Sequence, residues 1–142
     1  MSDDAPSSLT PQDALVALMI TVSVSDATIR PAELLTIERM VRHLPAFDGY
    51  DVDRMQTVSQ AVFDMLEEED GLDAIYALVR DSVPAERHET AYALACDVAA
   101  AEGRVRQSEL RLLQELRHEL DLDPLAAAAI ERGARARHLP LR

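Results

Sequence analysis

The sequence has few of the residues that mark secreted scaffolds, zinc domains and nucleic-acid binders. Its 142 residues include one cysteine, Cys96, which excludes an internal disulfide and any multi-cysteine zinc site. Aromatic residues make up 4% of the chain and tryptophan is absent, so there is little surface on which nucleobases could stack. Lysine and asparagine are absent too, and all 14 basic residues are arginine. A disulfide framework, a zinc cluster and a base-stacking surface are therefore not expected.

Long apolar runs and a basic leader are also missing. No run approaches the ~20 apolar residues that a helix needs to cross a bilayer, and the opening Met-Ser-Asp-Asp lacks the basic stretch of a signal peptide. We therefore expect a cytoplasmic protein. The 26 acidic residues give a formal net charge of −12, which repels phosphate backbones, so no nucleic-acid partner is expected.

Proline and glycine fall almost entirely at plausible helix ends, and no stretch alternates as a strand does. The pattern predicts an all-α fold of about seven helices, with Thr10 capping the first and Gly71 closing the third. We expect residues 1–10 to be disordered, 11–137 to form a single domain and 138–142 to form a basic tail. The predicted helices cover residues 11–25, 31–44, 52–70, 72–82, 85–101, 108–120 and 124–137.

An internal repeat is the most informative feature of the sequence. Residues 13–45 align with residues 89–121 at an offset of 76, which matches Ala17 with Ala93 and Glu33 with Glu109. This predicts two pseudo-symmetric helical hairpins; chance similarity between amphipathic helices is the alternative. The first and fifth helices are apolar nearly all round, so we expect them to be the central pair.

Each hairpin carries two acids seven residues apart around its turn. These are Asp26 and Glu33 in the first copy, and Glu102 and Glu109 in the second. Since the chain reverses between the members of each pair, the four carboxylates could converge on a hard cation, which would be Ca²⁺, Mg²⁺ or Mn²⁺. The alternative is helix capping, in which a glutamate at the third helical position accepts a hydrogen bond from the cap residue's backbone N–H.

Asp97 is a further candidate ligand because it interrupts the apolar run of the fifth helix. A buried carboxylate must find a partner or lose its charge. Pairing with an arginine is the alternative to a metal for this residue. No nucleophile motif, phosphate loop or dinucleotide fingerprint is present, so no catalytic residues are predicted.

Three segments of the sequence resemble the tellurite-resistance TerB family. They are residues 24–33 and 100–109, which contain the two turns, and Leu44-Pro45-Ala46-Phe47-Asp48-Gly49-Tyr50. The resemblance covers about residues 11–137. It implies an all-helical fold, a metal site at the acidic turns, a place in bacterial stress resistance and no enzymatic activity. The sequence departs from the family pattern at Ala27, where glycine is usual, and at the two arginines in the cap positions, Arg30 and Arg106.

Charge is distributed unevenly along the chain. Residues 45–81 contain ten acids and two arginines, whereas residues 132–142 contain four arginines and no acid. We expect the basic tail to fold back onto the acidic middle or to bind a protein, with membrane contact peripheral at most. The sequence thus predicts a non-catalytic domain that binds protein partners and a divalent cation. The alternative is a purely structural interaction module with an acidic docking face and no metal.

Overall fold

The computed structural model describes residues 9–24, 31–101 and 105–142, and within these ranges the chain is all-helical with no strand. This confirms the predicted fold class. Two short 3-10 turns, Pro45–Phe47 and Ala85–Arg87, precede the third and fifth helices. Seven α-helices lie in the described ranges: α1 Pro11–Ser23, α2 Pro31–His43, α3 Arg54–Leu66, α4 Gly71–Ser82, α5 His88–Ala100, α6 Gln107–Glu119 and α7 Pro124–Arg137.

The two helices without a polar face lie at the centre, as their sequence predicts. Every residue of α1 from Asp13 to Ser23 is buried. This helix packs against α2, α3, α4 and α5, while α5 packs in turn against α6 and α7. The buried hydroxyls of Thr21 and Ser23 donate to backbone carbonyls one turn earlier, at 2.7 and 3.1 Å, so they need no partner from another helix.

A buried carboxylate ties the start of α1 to the segment after α2. Thr10 and Asp13 form a capping box, each side chain accepting from the other's backbone N–H at 3.0 Å. Asp13 also accepts hydrogen bonds from Arg54 at 2.6 and 3.0 Å and from the Tyr50 hydroxyl at 2.7 Å. The predicted cap at Thr10 is therefore confirmed, within a larger network that the sequence did not indicate.

The junction between α3 and α4 differs from the prediction. The third helix ends at Leu66, and Gly71 is the first residue of α4. A Cβ atom at Gly71 would lie 1.8 Å from the carbonyl oxygen of Met65. The glycine is therefore required by the close approach of two backbone segments, and it does not close the preceding helix.

Candidate functional site at the acidic turns

Two of the predicted site residues come together in the structure. Glu33 and Glu109 are each the third residue of their helix, α2 and α6, and their side chains are 2% and 3% exposed. Arg106 Nη2 lies 3.4 Å from Glu33 Oε2 and 3.1 Å from Glu109 Oε2. Glu33 and Glu109, which occupy equivalent positions in the two predicted hairpins, therefore contact the same guanidinium group although they are far apart in sequence.

Glu109 also caps its own helix. The backbone N–H of Arg106 donates to Glu109 Oε1 at 2.9 Å, which is the glutamate half of a capping box. The arginine side chain has no acceptor, so it cannot supply the other half. The capping interpretation is therefore observed at the second turn, while Arg30, which would cap α2, lies outside the described residues.

Arg106 compensates two buried negative charges at this place. A carboxylate taken out of water is costly unless it is paired and hydrogen-bonded. The positive ends of two helix dipoles favour the glutamates, and the Arg106 side chain, which is 23% exposed, contacts both of them. The arrangement is a buried anionic pair that binds a cationic group at its solvent edge.

The fit of a metal ion depends on the number and type of oxygen donors. Carboxylate oxygens suit hard divalent cations, and Ca²⁺ takes about six to eight oxygen ligands. Asp26 and Glu102, the other two acids of the turns, lie outside the described residues. Within the described ranges, no group of three or more His, Cys, Asp or Glu side chains could hold a metal ion. Glu33 and Glu109 therefore supply suitable donors, but only part of a coordination shell.

Asp97, the remaining predicted ligand, pairs with arginine. Its Oδ1 lies 2.6 Å from Arg137 Nη2 and 3.4 Å from His138 Nε2, and its side chain is 19% exposed. For Asp97, the sequence left two interpretations open, a metal ligand and a partner of an arginine, and the structure shows the pairing with an arginine. The same contact shows where one arginine of the basic C-terminal segment binds: Arg137 contacts α5 and not the acidic residues 45–81.

The Asp13 network was missed by sequence reasoning, although part of it could have been found. Burial by itself would raise the pKa of Asp13, but hydrogen bonds from Arg54, the Thr10 amide and Tyr50 outweigh it and lower the pKa to about 2. An acid three residues after a Thr-Pro start is a sequence signal for a capping box. Arg54 and Tyr50 carry no comparable signal, because both lie about 40 positions further along the chain.

Cys96 is buried, as expected of a residue that fills the core. Burial raises the pKa of its thiol to about 12, so the reactive thiolate form is scarce near neutral pH. This argues against Cys96 as a nucleophile or reductant.

The family model for tellurite resistance protein TerB matches residues 12–132, which include both acidic turns, all of α1 except Pro11, and α2 to α6. The chain belongs to the TerB family. The resemblance read from the turn segments is thereby confirmed. Searches of curated proteins and of solved structures found no match to this TerB-family chain. None of its described helices is long and apolar enough to cross a membrane.

Proposed function

We propose that this TerB-family chain is a non-catalytic cytoplasmic binding domain of a bacterial tellurite- and stress-resistance system. In this proposal its acidic turns take a divalent cation, Ca²⁺, Mg²⁺ or Mn²⁺, and its surface binds protein partners. The observation that carries the proposal is the convergence of Glu33 and Glu109, both buried, on the single guanidinium of Arg106. Membership of the TerB family supports the assignment to this class of domain.

The charge of the chain favours a cation over the oxyanion in the family's name. Tellurite is an anion, and a chain with a net charge of −12 does not concentrate anions. The only thiol, Cys96, is buried and poorly ionised, so it gives no reducing chemistry. We therefore propose that the link to tellurite is indirect and runs through a bound cation and partner proteins.

Calorimetric titration of metal-stripped protein with Ca²⁺, Mg²⁺, Mn²⁺ and Zn²⁺ tests the cation. We expect saturable heat and a rise in melting temperature with at least one of the three hard cations, because ligand bound to the native state stabilises it. Glu33→Gln and Glu109→Gln should remove the metal-dependent part of the stability. Glu89→Gln, at an exposed glutamate in the first turn of α5, is the matched control and should keep it. No heat and no shift in melting temperature at millimolar metal would contradict the proposal.

A second candidate function is an interaction module that uses an acidic face and no metal. Arg106 already compensates Glu33 and Glu109, and the exposed run Glu67-Glu68-Glu69-Asp70 follows α3. This candidate predicts that a basic peptide binds at low ionic strength and dissociates as salt rises, because exposed charges are screened beyond ~10 Å at 0.1 M salt. Neutralising residues 67–70 should abolish that binding, whereas Glu89→Gln should not. Metal should change neither result.

A further inference from the structure

A groove opens on the side of the molecule formed by the last three helices. Both α6 and α7 pack on α5, and the ion pair between Arg117 and Glu131 joins them at 3.0 Å. Between them lies a cavity of about 390 Å³. Its floor consists of small side chains of α5, which leave the space that larger residues would fill: Cys96, Ala99 and Ala100.

The walls of the groove are mainly apolar and reach the solvent. Leu110 and Leu113 line it from α6, while Ala134 and Leu139 line it from α7 and the residues that follow. Leu110 is 46% exposed and Leu139 is 62% exposed, so each rim carries an incompletely buried leucine. An apolar ligand in the groove would bury surface that the free protein leaves in water.

The charged groups at the groove include a cation that no carboxylate of the described residues compensates, whereas the chain as a whole is acidic. Glu131 is compensated by Arg117 and accepts a hydrogen bond from the Tyr92 hydroxyl. Arg135, exposed at the rim, makes no side-chain hydrogen bond or ion pair within the described part of the chain. An uncompensated cation therefore borders an apolar groove in a protein whose net charge is −12.

We propose that this groove binds a small amphiphile with one negative charge, such as a medium-chain carboxylate. Its hydrocarbon chain would lie along Ala99, Ala100 and Leu113, and its carboxylate would pair with Arg135. The volume is within the range of about 300–1,000 Å³ that is usual for small-molecule sites. A single anionic group matches the single uncompensated arginine, whereas a polyanion would be repelled by the net charge of the chain.

Calorimetric titration with decanoate, below the concentration at which it forms micelles, tests the proposal on the full chain. We expect saturable binding of one decanoate per chain. Arg135→Gln should weaken it about two- to fivefold, as expected for a partly solvated ion pair. Arg132→Gln removes the same charge from an exposed position on the same helix outside the groove, and it should leave the affinity unchanged. Decan-1-ol, which lacks the carboxylate, should bind both variants equally.

Ala100→Leu places a larger side chain on the groove floor and should abolish binding of both decanoate and decanol. If this variant does not fold, the comparison of Arg135→Gln with Arg132→Gln still decides the proposal. Absence of saturable heat would overturn it, and so would an equal loss of affinity in the two arginine variants. A dimer that persists at every decanoate concentration would mean that a second copy covers the groove, which would also overturn it.

Discussion

Arg106 is the residue on which the two halves of the acidic site depend. Its side chain contacts Glu33 and Glu109, and its backbone N–H binds the second of these glutamates. Sequence alignment of the hairpins placed the two acids at equivalent positions, and each is the third residue of its helix. It gave no sign that the arginine in the second cap position would contact both acids, since that contact depends on how α2 and α6 are placed in space.

Replacing Arg106 with glutamine should destabilise the protein. The change leaves two buried carboxylates without this cation, and we expect a loss of about 1–3 kcal/mol in the free energy of unfolding at neutral pH. Urea denaturation followed by circular dichroism measures it. Arg80→Gln is the control, because Arg80 pairs with Glu119 at 2.9 Å between side chains that are 44% and 35% exposed. That loss should stay within about 1 kcal/mol, and equal losses would contradict this role of Arg106.

Asp13 should make stability depend on pH in the acid range. Its pKa in the folded protein is about 2, against an ordinary value of 3.8. A carboxylate with a lowered folded-state pKa contributes stability above its unfolded pKa and loses it as the pH falls through the folded value. We therefore expect the free energy of unfolding to fall by on the order of 2 kcal/mol between about pH 4 and pH 2 through this group.

Asp13→Asn should remove that part of the pH dependence and lower stability at pH 7. Denaturation curves at several pH values measure both effects. Asp53→Asn, at an exposed carboxylate next to Arg54, is the matched control and should keep the wild-type dependence. If Asp13→Asn retains the full acid dependence, the network at Thr10, Tyr50 and Arg54 does not hold Asp13 ionised.

At the scale of the helices, local signals predicted most starts to within two residues, whereas α5 begins at His88, three residues after its predicted start, because Ala85–Arg87 form a 3-10 turn. Proline begins α1, α2 and α7 where the sequence indicated, because its fixed φ suits the first helical turn. The predicted end of α3, residue 70, is four residues beyond the observed end at Leu66. The acidic run before Gly71 opposes the helix dipole at the C-terminal end of α3, which favours an earlier end. The approach of Gly71 to the Met65 carbonyl, a contact set by chain packing, accompanies the break.

Two glycines on helices should therefore respond in opposite directions to alanine. Gly71→Ala places a Cβ atom against backbone and should cost about 1–3 kcal/mol in the free energy of unfolding. Gly133 lies inside α7, where the nearest atom to an added Cβ is the flexible end of Arg137 at 3.4 Å. Gly133→Ala should stabilise the protein by about 0.5–1 kcal/mol through helix propensity. Thermal melts of the two variants provide the measurement, and a neutral Gly71→Ala would contradict the close approach.

At the scale of the whole molecule, the placement of proline and glycine predicted the all-α class, and the apolar pattern of α1 and α5 predicted their central position. The pseudo-symmetry of the hairpins stays a prediction, as do the partners and the location. The charge pattern was harder to interpret from the sequence. The excess of arginine from residue 132 onwards suggested contact with the acidic middle or with a partner protein. Of these arginines, Arg137 contacts Asp97 on the neighbouring α5. Net charge per segment does not determine which helices pack together.

The last helix should be essential and the last four residues dispensable. Ala127 and Ala134 of α7 are buried, and Arg137 pairs with Asp97 of α5. Removing residues 124–142 should therefore expose the apolar side of α5 and abolish cooperative thermal unfolding. Removing residues 139–142 should leave the melting temperature unchanged, because Leu139 and Leu141 are largely exposed. A cooperative transition in the longer truncation would contradict this account of the core.

We propose above that the two acidic turns form one cation-binding centre. The most direct test is a crystal structure of the protein grown with Mn²⁺, whose anomalous scattering locates the ion. We expect an anomalous peak within bonding distance of Glu33 and Glu109, with the guanidinium of Arg106 displaced from between them. A structure at saturating Mn²⁺ in which Arg106 still contacts both glutamates and no peak lies beside them would contradict it.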